Sequence, residues 1–343
     1  MARTQTCQPP SYGGNLRSKS RSSGGCRFSA NTARRLVDRN KEAILVQRII
    51  LHAGTPKTGT TSLQIALERH RAQIACHGLL YPTTMATAYS TSDGRGGAKP
   101  KHQWIVSDLV AHSGGGLRDH MAAALAEASP STHTVVLSTE GLFNHWWDFS
   151  KEGRRELSAL SRTYKVELWV WFREPIRFFI SNYVQMLKNP PTEVACYGRD
   201  WSPDEMLDDP WFVRHLDYKG FIEEVTQTLG EGSVRPYAYR GATVADFFAA
   251  AGLPALNTSE LREHVTLGGF GVQVLRHLNK LSLDFDAKIA AVNIVNRLDA
   301  ELGMASQPLQ IDPSTRARVL AFCGPSVEWL RREYGLELSE DSP

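Results

Sequence analysis

Short, uninterrupted apolar runs punctuate this chain. Ile44-Leu45-Val46 and Ile49-Ile50-Leu51 lead up to Gly54, and runs of this length mark strands buried on both faces. From Thr58 to about Ala75, Leu63, Ile65, Ala66, Leu67 and Ile74 recur at a spacing that suits a helix packed on a sheet. Strand, glycine-containing turn, then helix is the opening unit of a doubly wound fold. Thr134–Ser138 and Val166–Phe172 predict two more strands, the second the strongest in the chain. A helix is expected from Pro175, because proline suits the first helical turn. A fourth strand is expected over Ser233–Tyr239. The C-terminal third reads as helical, around Phe247-Phe248, from Val272 to Leu281, and over 285–302 and 314–334. The pattern predicts an α/β fold with a P-loop-type central parallel β-sheet flanked by helices. Residues 82–100, rich in Thr, Ser and Gly, read as a long loop of the kind that forms lids and binding loops.

Composition changes this picture mainly at the N-terminus. Residues 1–44 are rich in Ser, Gly, Arg and Asn, and bury too little to offset chain entropy. They are expected to form a disordered basic tail ahead of a single domain over 45–340. Residues 1–48 carry ten Lys and Arg against two Asp and Glu, so a chain of net charge +3 has a body of −5. The tail's charge fits a solvated extension or an arm for polyanions; no nucleic-acid partner is expected for the folded domain. No stretch approaches the roughly 18 apolar residues of a membrane span, and the N-terminus lacks the apolar core of a signal peptide. The five cysteines, Cys7, Cys26, Cys76, Cys196 and Cys323, show no C-x-x-C spacing. That pattern fits neither a disulfide framework nor a zinc site and points to a reducing, cytoplasmic setting. In such a setting the glycosylation triplet Asn257-Thr258-Ser259 is a chance match.

The candidate chemistry begins at Gly54-Thr55-Pro56-Lys57-Thr58-Gly59-Thr60-Thr61, between the first strand and its helix. Such a turn aims backbone N–H groups and the positive end of a helix dipole at an anion. A nucleotide triphosphatase loop requires G-x-x-x-x-G-K-[ST]. The two glycines are spaced correctly, but Thr60 stands where that lysine belongs, and Lys57 precedes the second glycine. The displacement disfavours the alternative of a P-loop nucleotide kinase or phosphotransferase. A second constellation follows the strongest strand: Phe172-Arg173-Glu174-Pro175, then Ser181-Asn182-Tyr183 eight residues after the arginine, and Gln185. Arg173 at a strand end suits a forked phosphate contact, with Ser181 two helical turns on. The competing role for Arg173 is a salt bridge to Glu174 or another acid.

Together these segments resemble the sulfotransferases that use 3′-phosphoadenosine-5′-phosphosulfate (PAPS). The loop matches their P-K-[ST]-G-[ST]-[ST] pattern, and the Arg173–Ser181 pair matches their 3′-phosphate signature. Weaker similarities to bacterial sulfotransferase-domain proteins lie at His77-Gly78-Leu79-Leu80-Tyr81-Pro82, Ser138-Thr139-Glu140 and His264-Val265-Thr266-Leu267. The resemblance spans roughly residues 46–337.

It implies that Pro56, Lys57, Thr58, Gly59, Thr60, Thr61, Arg173 and Ser181 bind PAPS and its product 3′,5′-bisphosphoadenosine (PAP). It implies that Lys57 stabilises the leaving oxygen and that no metal takes part. The base is left open between Glu140 and His102, with His145 third. The implied acceptor is hydroxylated, a carbohydrate or small metabolite. Trp146, Trp147, Trp201 and Trp211 are either a sugar-stacking surface or core packing. Lys188 is either a contact for acidic substrate groups or a solvated lysine. A noncatalytic binding module of the same fold is the third reading, weakened by the presence of Lys57, Arg173 and Ser181.

Overall fold

The computed structural model describes residues 46–84, 101–112, 116–255, 267–281, 283–304, 307 and 309–339. The 1–44 tail, most of the 82–100 loop, the Asn257 triplet and His264-Val265-Thr266 lie outside these. One compact unit spans Ile44–Pro343.

β1 (Arg48–Gly54) is buried at every position after Arg48. It is followed by α1 (Thr60–Arg69), α2 (Arg71–Ala75), β2 (Leu79–Leu80), α3 (Trp104–Val110) and α4 (Gly116–Leu125). Then come β3 (Thr134–Ser138), α5 (Gly141–Asn144), α6 (Lys151–Thr163), β4 (Lys165–Phe172) and α7 (Pro175–Lys188). The short α8 (Pro203–Met206) and α9 (Pro210–Val213) lead to α10 (Tyr218–Leu229), β5 (Val234–Ala238) and α11 (Thr243–Ala250). Three helices complete the chain: α12 (Gly269–Asn279), α13 (Phe285–Glu301) and α14 (Pro313–Tyr334). The helix expected over 58–75 is two helices, broken at His70 with φ −103° and ψ 19°. The helix expected from 314 continues through Pro325, which lies inside α14.

The strands form one parallel sheet in the order β2-β3-β1-β4-β5. Their near-continuous apolar sequences follow from burial on both faces. Successive side chains alternate between two cores. Ile49, Leu51, Val135, Leu137, Leu168, Val170 and Phe172 face one core, shared with α7 and α10. Ile50, Val136, Trp169 and Trp171 face the other, closed by Leu63, Ala66 and Leu67 of α1 and Phe247 and Phe248 of α11. Glu167, a carboxylate in the buried strand, is accommodated by Lys165, Arg48 and Arg235 and by the Trp169 indole N–H at 3.0 Å.

The strand order fixes the position of the site. The chain leaves β1 for β2 and β3 on one side, then crosses to β4 on the other. The C-terminal end of β1 is therefore a topological switch point, where open parallel sheets leave a crevice for ligands.

Candidate active site

Three adjacent strand ends supply the candidate residues. Register places Gly54 beside Trp171 and His52 beside Ser138. Lys57, Arg173 and Glu140 thus follow neighbouring strands, with β1 in the middle and about 4.8 Å between adjacent strands.

The Gly54–Thr61 loop is held from below and from one side. The Thr55 hydroxyl donates to the Trp171 carbonyl at 2.9 Å, tying the loop to β4. The Thr58 hydroxyl donates to the Thr55 carbonyl at 2.7 Å, and the Thr243 hydroxyl of α11 donates to the Thr58 carbonyl at 2.5 Å. Gly54 admits no side chain, since a Cβ there would lie 1.8 Å from Thr60 Oγ1. Lys57 has φ 65°, the one positive value at a non-glycine among the described residues. A left-handed backbone costs such a residue roughly 1–2 kcal/mol, and strain of this kind collects at ligand clamps. α1 begins behind Gly59 with no side-chain cap, which leaves the positive end of its dipole open to an anion. The Thr60 hydroxyl is buried and has no hydrogen-bond partner. An uncapped helix end, an unpaired buried hydroxyl and an ammonium together suit a bound anion.

At the end of β4, Arg173 Nη1 donates to Ser181 Oγ at 2.6 Å. The salt bridge to Glu174 does not form. The Glu174 carboxylate caps α7 instead, accepting from the Ile176 and Arg177 N–H groups at 2.9 and 2.8 Å. Arg173 makes no ion pair among the described residues, and its Nε is buried without a partner. Its guanidinium lies 5.6 Å from the centre of the Tyr239 ring. Burial lowers its pKa.

The two candidate bases sit in different surroundings. His102 is fully buried. Its Nδ1 accepts from the Ser138 N–H at 3.1 Å, so Nε2 carries the proton and donates to the Pro82 carbonyl at 3.0 Å. Both nitrogens are committed, and burial lowers the pKa to about 4. His102 thus ties β3 to the start of the long loop. His145 Nδ1 is likewise engaged, with Asp148 at 3.0 Å. Glu140 sits just past β3, half-buried, at the entry to α5. Thr139 anchors it: the Thr139 N–H donates to the His52 carbonyl and its hydroxyl to Gln103 Oε1. Among the described residues the Glu140 carboxylate makes no hydrogen bond or ion pair.

No protein-family model matches this chain, and no curated protein matches it. A crystal structure of a sulfotransferase from Alicyclobacillus acidocaldarius resembles it at 11% identity and a TM-score of 0.45, over 84% of this chain and 96% of that one. A likeness of that size does not assign an activity.

Several residues around the site escape sequence reasoning. Tyr239 covers Arg173, and Thr243 pins the loop from a strand–helix junction 185 residues away. Beneath the loop, His52 Nδ1 lies 2.8 Å from Ser138 Oγ, which also accepts from Gln64 at 3.2 Å. Lys188 is half-buried rather than solvated. Of the tryptophans, Trp146 is fully buried in the core, whereas Trp147 and Trp211 flank the Arg214 guanidinium at 5.4 and 5.3 Å. Arg214 in turn pairs with Asp148 at 2.6 Å. Among the described residues no group of three His, Cys, Asp or Glu is arranged to hold a metal, and no helix is long and apolar enough to cross a membrane.

Three buried histidines give the fold a pH dependence. Burial lowers His52 to about 3 and His102 and His215 to about 4. Unfolded imidazoles protonate near 6.5, so below that pH the unfolded state binds more protons than the folded one. Stability is full above about pH 6.5 and declines as pH falls towards 4. Melting temperatures recorded between pH 7.5 and 4.5 are expected to drop across that window; a flat profile would show that these imidazoles titrate normally in the folded state.

Proposed function

We propose that this chain transfers a sulfuryl group from PAPS to a hydroxyl of a carbohydrate or small hydroxylated metabolite. One observation carries the reading: an anion loop with a displaced lysine and an unpaired buried threonine hydroxyl stands on the strand next to the one ending at Arg173, whose Nε is also unpaired. Two anion grips on neighbouring strands suit a ligand with phosphate at two places. A nucleotide kinase would need its lysine where Thr60 stands.

The residues fit the nucleotide at both ends. Lys57, Thr60, Thr61 and the N–H groups around Gly59 would take the 5′-phosphosulfate, with Pro56 and Thr58 shaping the turn. Arg173 and Ser181 would take the 3′-phosphate. When bound, PAPS supplies the sulfuryl group: a sulfur–oxygen bond to the acceptor forms as the bond to the 5′-phosphate oxygen breaks, leaving PAP and a sulfate ester. Lys57 offsets the negative charge that grows on that leaving oxygen. Glu140 accepts the acceptor's hydroxyl proton, a task for which an unpaired carboxylate beside the loop is suited. Ser181 orients Arg173 through the 2.6 Å hydrogen bond.

A panel of sugars and hydroxylated metabolites incubated with sulfur-labelled PAPS tests the activity. Labelled product is expected with at least one acceptor. With that acceptor, Glu140→Gln should lower kcat by about 10²–10⁴, the usual contribution of a positioned base, and leave PAP affinity near wild type. Undiminished turnover would remove Glu140 from the mechanism.

A further inference from the structure

The helices outside the sheet carry a second concentration of cations. α6 and α10 pack side by side, and a cleft of about 260 Å³ opens between them. Arg154, Arg155, Ser158 and Arg162 line it from α6, and Gln227 and Thr228 from α10. None of the six is a carboxylate. Arg155, Ser158 and Arg162 stand at i, i+3 and i+7, so they share one face of α6. Arg154 forms a fixed wall: it donates to the Trp146 carbonyl at 2.9 Å and pairs with Glu224 at 3.2 Å. Thr228 is fixed as well, its hydroxyl donating to the Glu224 carbonyl at 3.0 Å. The other two cations are not answered in this way. Arg155 reaches Glu152 at 3.6 Å, and the two side chains are 78% and 45% exposed, a pairing worth little in water. Arg162 makes no ion pair among the described residues, and its Nη1 lies 3.5 Å from Ser158 Oγ. Two guanidinium groups, one turn to either side of Ser158, therefore line one cleft with the Gln227 amide facing them from α10.

We infer that this cleft is a second anion site, which takes a tetrahedral oxyanion: a sulfate or phosphate group. Guanidinium forks match the oxygens of such a group, and the Ser158 hydroxyl and Gln227 amide add neutral donors. A water takes roughly 30 Å³ in the liquid, so the cleft has room for a molecule that carries the anion as an ester. Its place in the fold sets it apart from the candidate active site. Arg162 lies just before β4 and Thr228 just before β5, so the cleft opens towards the N-terminal edge of the sheet. Lys57 and Arg173 follow strand C-terminal ends, and the eight residues of β4 put roughly 25 Å between the two edges. The inference therefore goes beyond the sulfuryl-transfer reading and does not depend on it.

Calorimetric titration of the full chain at fixed ionic strength tests this, with glucose 6-sulfate, glucose 6-phosphate, inorganic sulfate and unmodified glucose as probes. Wild type is expected to bind at least one ester and not glucose. Arg155→Ala and Arg162→Ala should each weaken that ester about tenfold, as the loss of a hydrogen bond to a charged group does. Their melting temperatures should match wild type, because both side chains are exposed. Arg162→Lys should recover part of the loss. Arg173→Ala, at the other edge of the sheet, should leave the ester within about twofold. Inorganic sulfate that binds as tightly as the ester supports the site with the free anion as its ligand; an ester about tenfold tighter supports it with the carrier contributing. The proposal is overturned if wild type binds no ester and no sulfate, if the Arg155 and Arg162 variants bind like wild type, or if Arg173→Ala loses the ester as fully as they do.

Discussion

Lys57→Ala is expected to lower kcat by about 10²–10³ and to leave the fold intact. The magnitude is that of removing one preorganised group facing the charge that develops at the leaving atom. The fold should tolerate the change because the loop is fixed by Thr55, Thr58 and Thr243 through backbone carbonyls, not by the lysine side chain alone. Alanine meets the same left-handed backbone at φ 65° that lysine does, so the substitution removes the charge without adding much strain. Lys57→Arg should restore little, since a planar fork on a longer stem does not reproduce a compact ammonium in a tight turn. Single-turnover rates with saturating PAPS make the measurement. A loss below about fivefold would mean that the loop binds without stabilising the departing group.

Arg173→Ala should raise the PAP dissociation constant on the order of 10²–10³-fold, the scale of truncating one partner of a buried, hydrogen-bonded charge pair. The geometry argues for so large an effect. No acid in the described structure pairs with the guanidinium, its Nε is buried without an acceptor, and its remaining contacts are Ser181 and the Tyr239 ring. A phosphate would be its principal partner. Ser181→Ala should cost about tenfold, in line with a single hydrogen bond to a charged group. Arg173→Lys should behave much more like alanine than like wild type, because one ammonium cannot meet the phosphate and Ser181 in the same fork. Equal PAP affinity in wild type and Arg173→Ala would dissociate this arginine from the nucleotide.

The parts of the fold that were legible are those where burial dictates sequence. β1, β3 and β4 read as strands because both faces are covered, leaving runs such as Val135-Val136-Leu137 without polar interruption. β2 is two residues long and leaves no pattern to detect. α6 is a full helix, yet only Gly153 and Leu157 of its thirteen residues are buried, too thin a stripe to stand out among Lys, Glu and Arg. The Gly54–Thr61 turn between β1 and α1 and the Arg173–Ser181 pair were visible because their spacing is local. His102 illustrates what is not local. A histidine opening an amphipathic stretch looks chemically available, but the groups that occupy it, Pro82 and Ser138, lie 20 and 36 residues away. Lys188 shows the opposite error. A lysine closing a helix looks solvated, but the packing of the whole fold leaves it half-buried, which the local sequence does not reveal.

A crystal structure of the chain with PAP, grown without magnesium, tests the central claim most directly. It should show the 5′-phosphate against Lys57 and the first-turn N–H groups of α1, and the 3′-phosphate on Arg173 and Ser181. A nucleotide seated elsewhere, or one that engages the loop while its 3′-phosphate points away from Arg173, would contradict it.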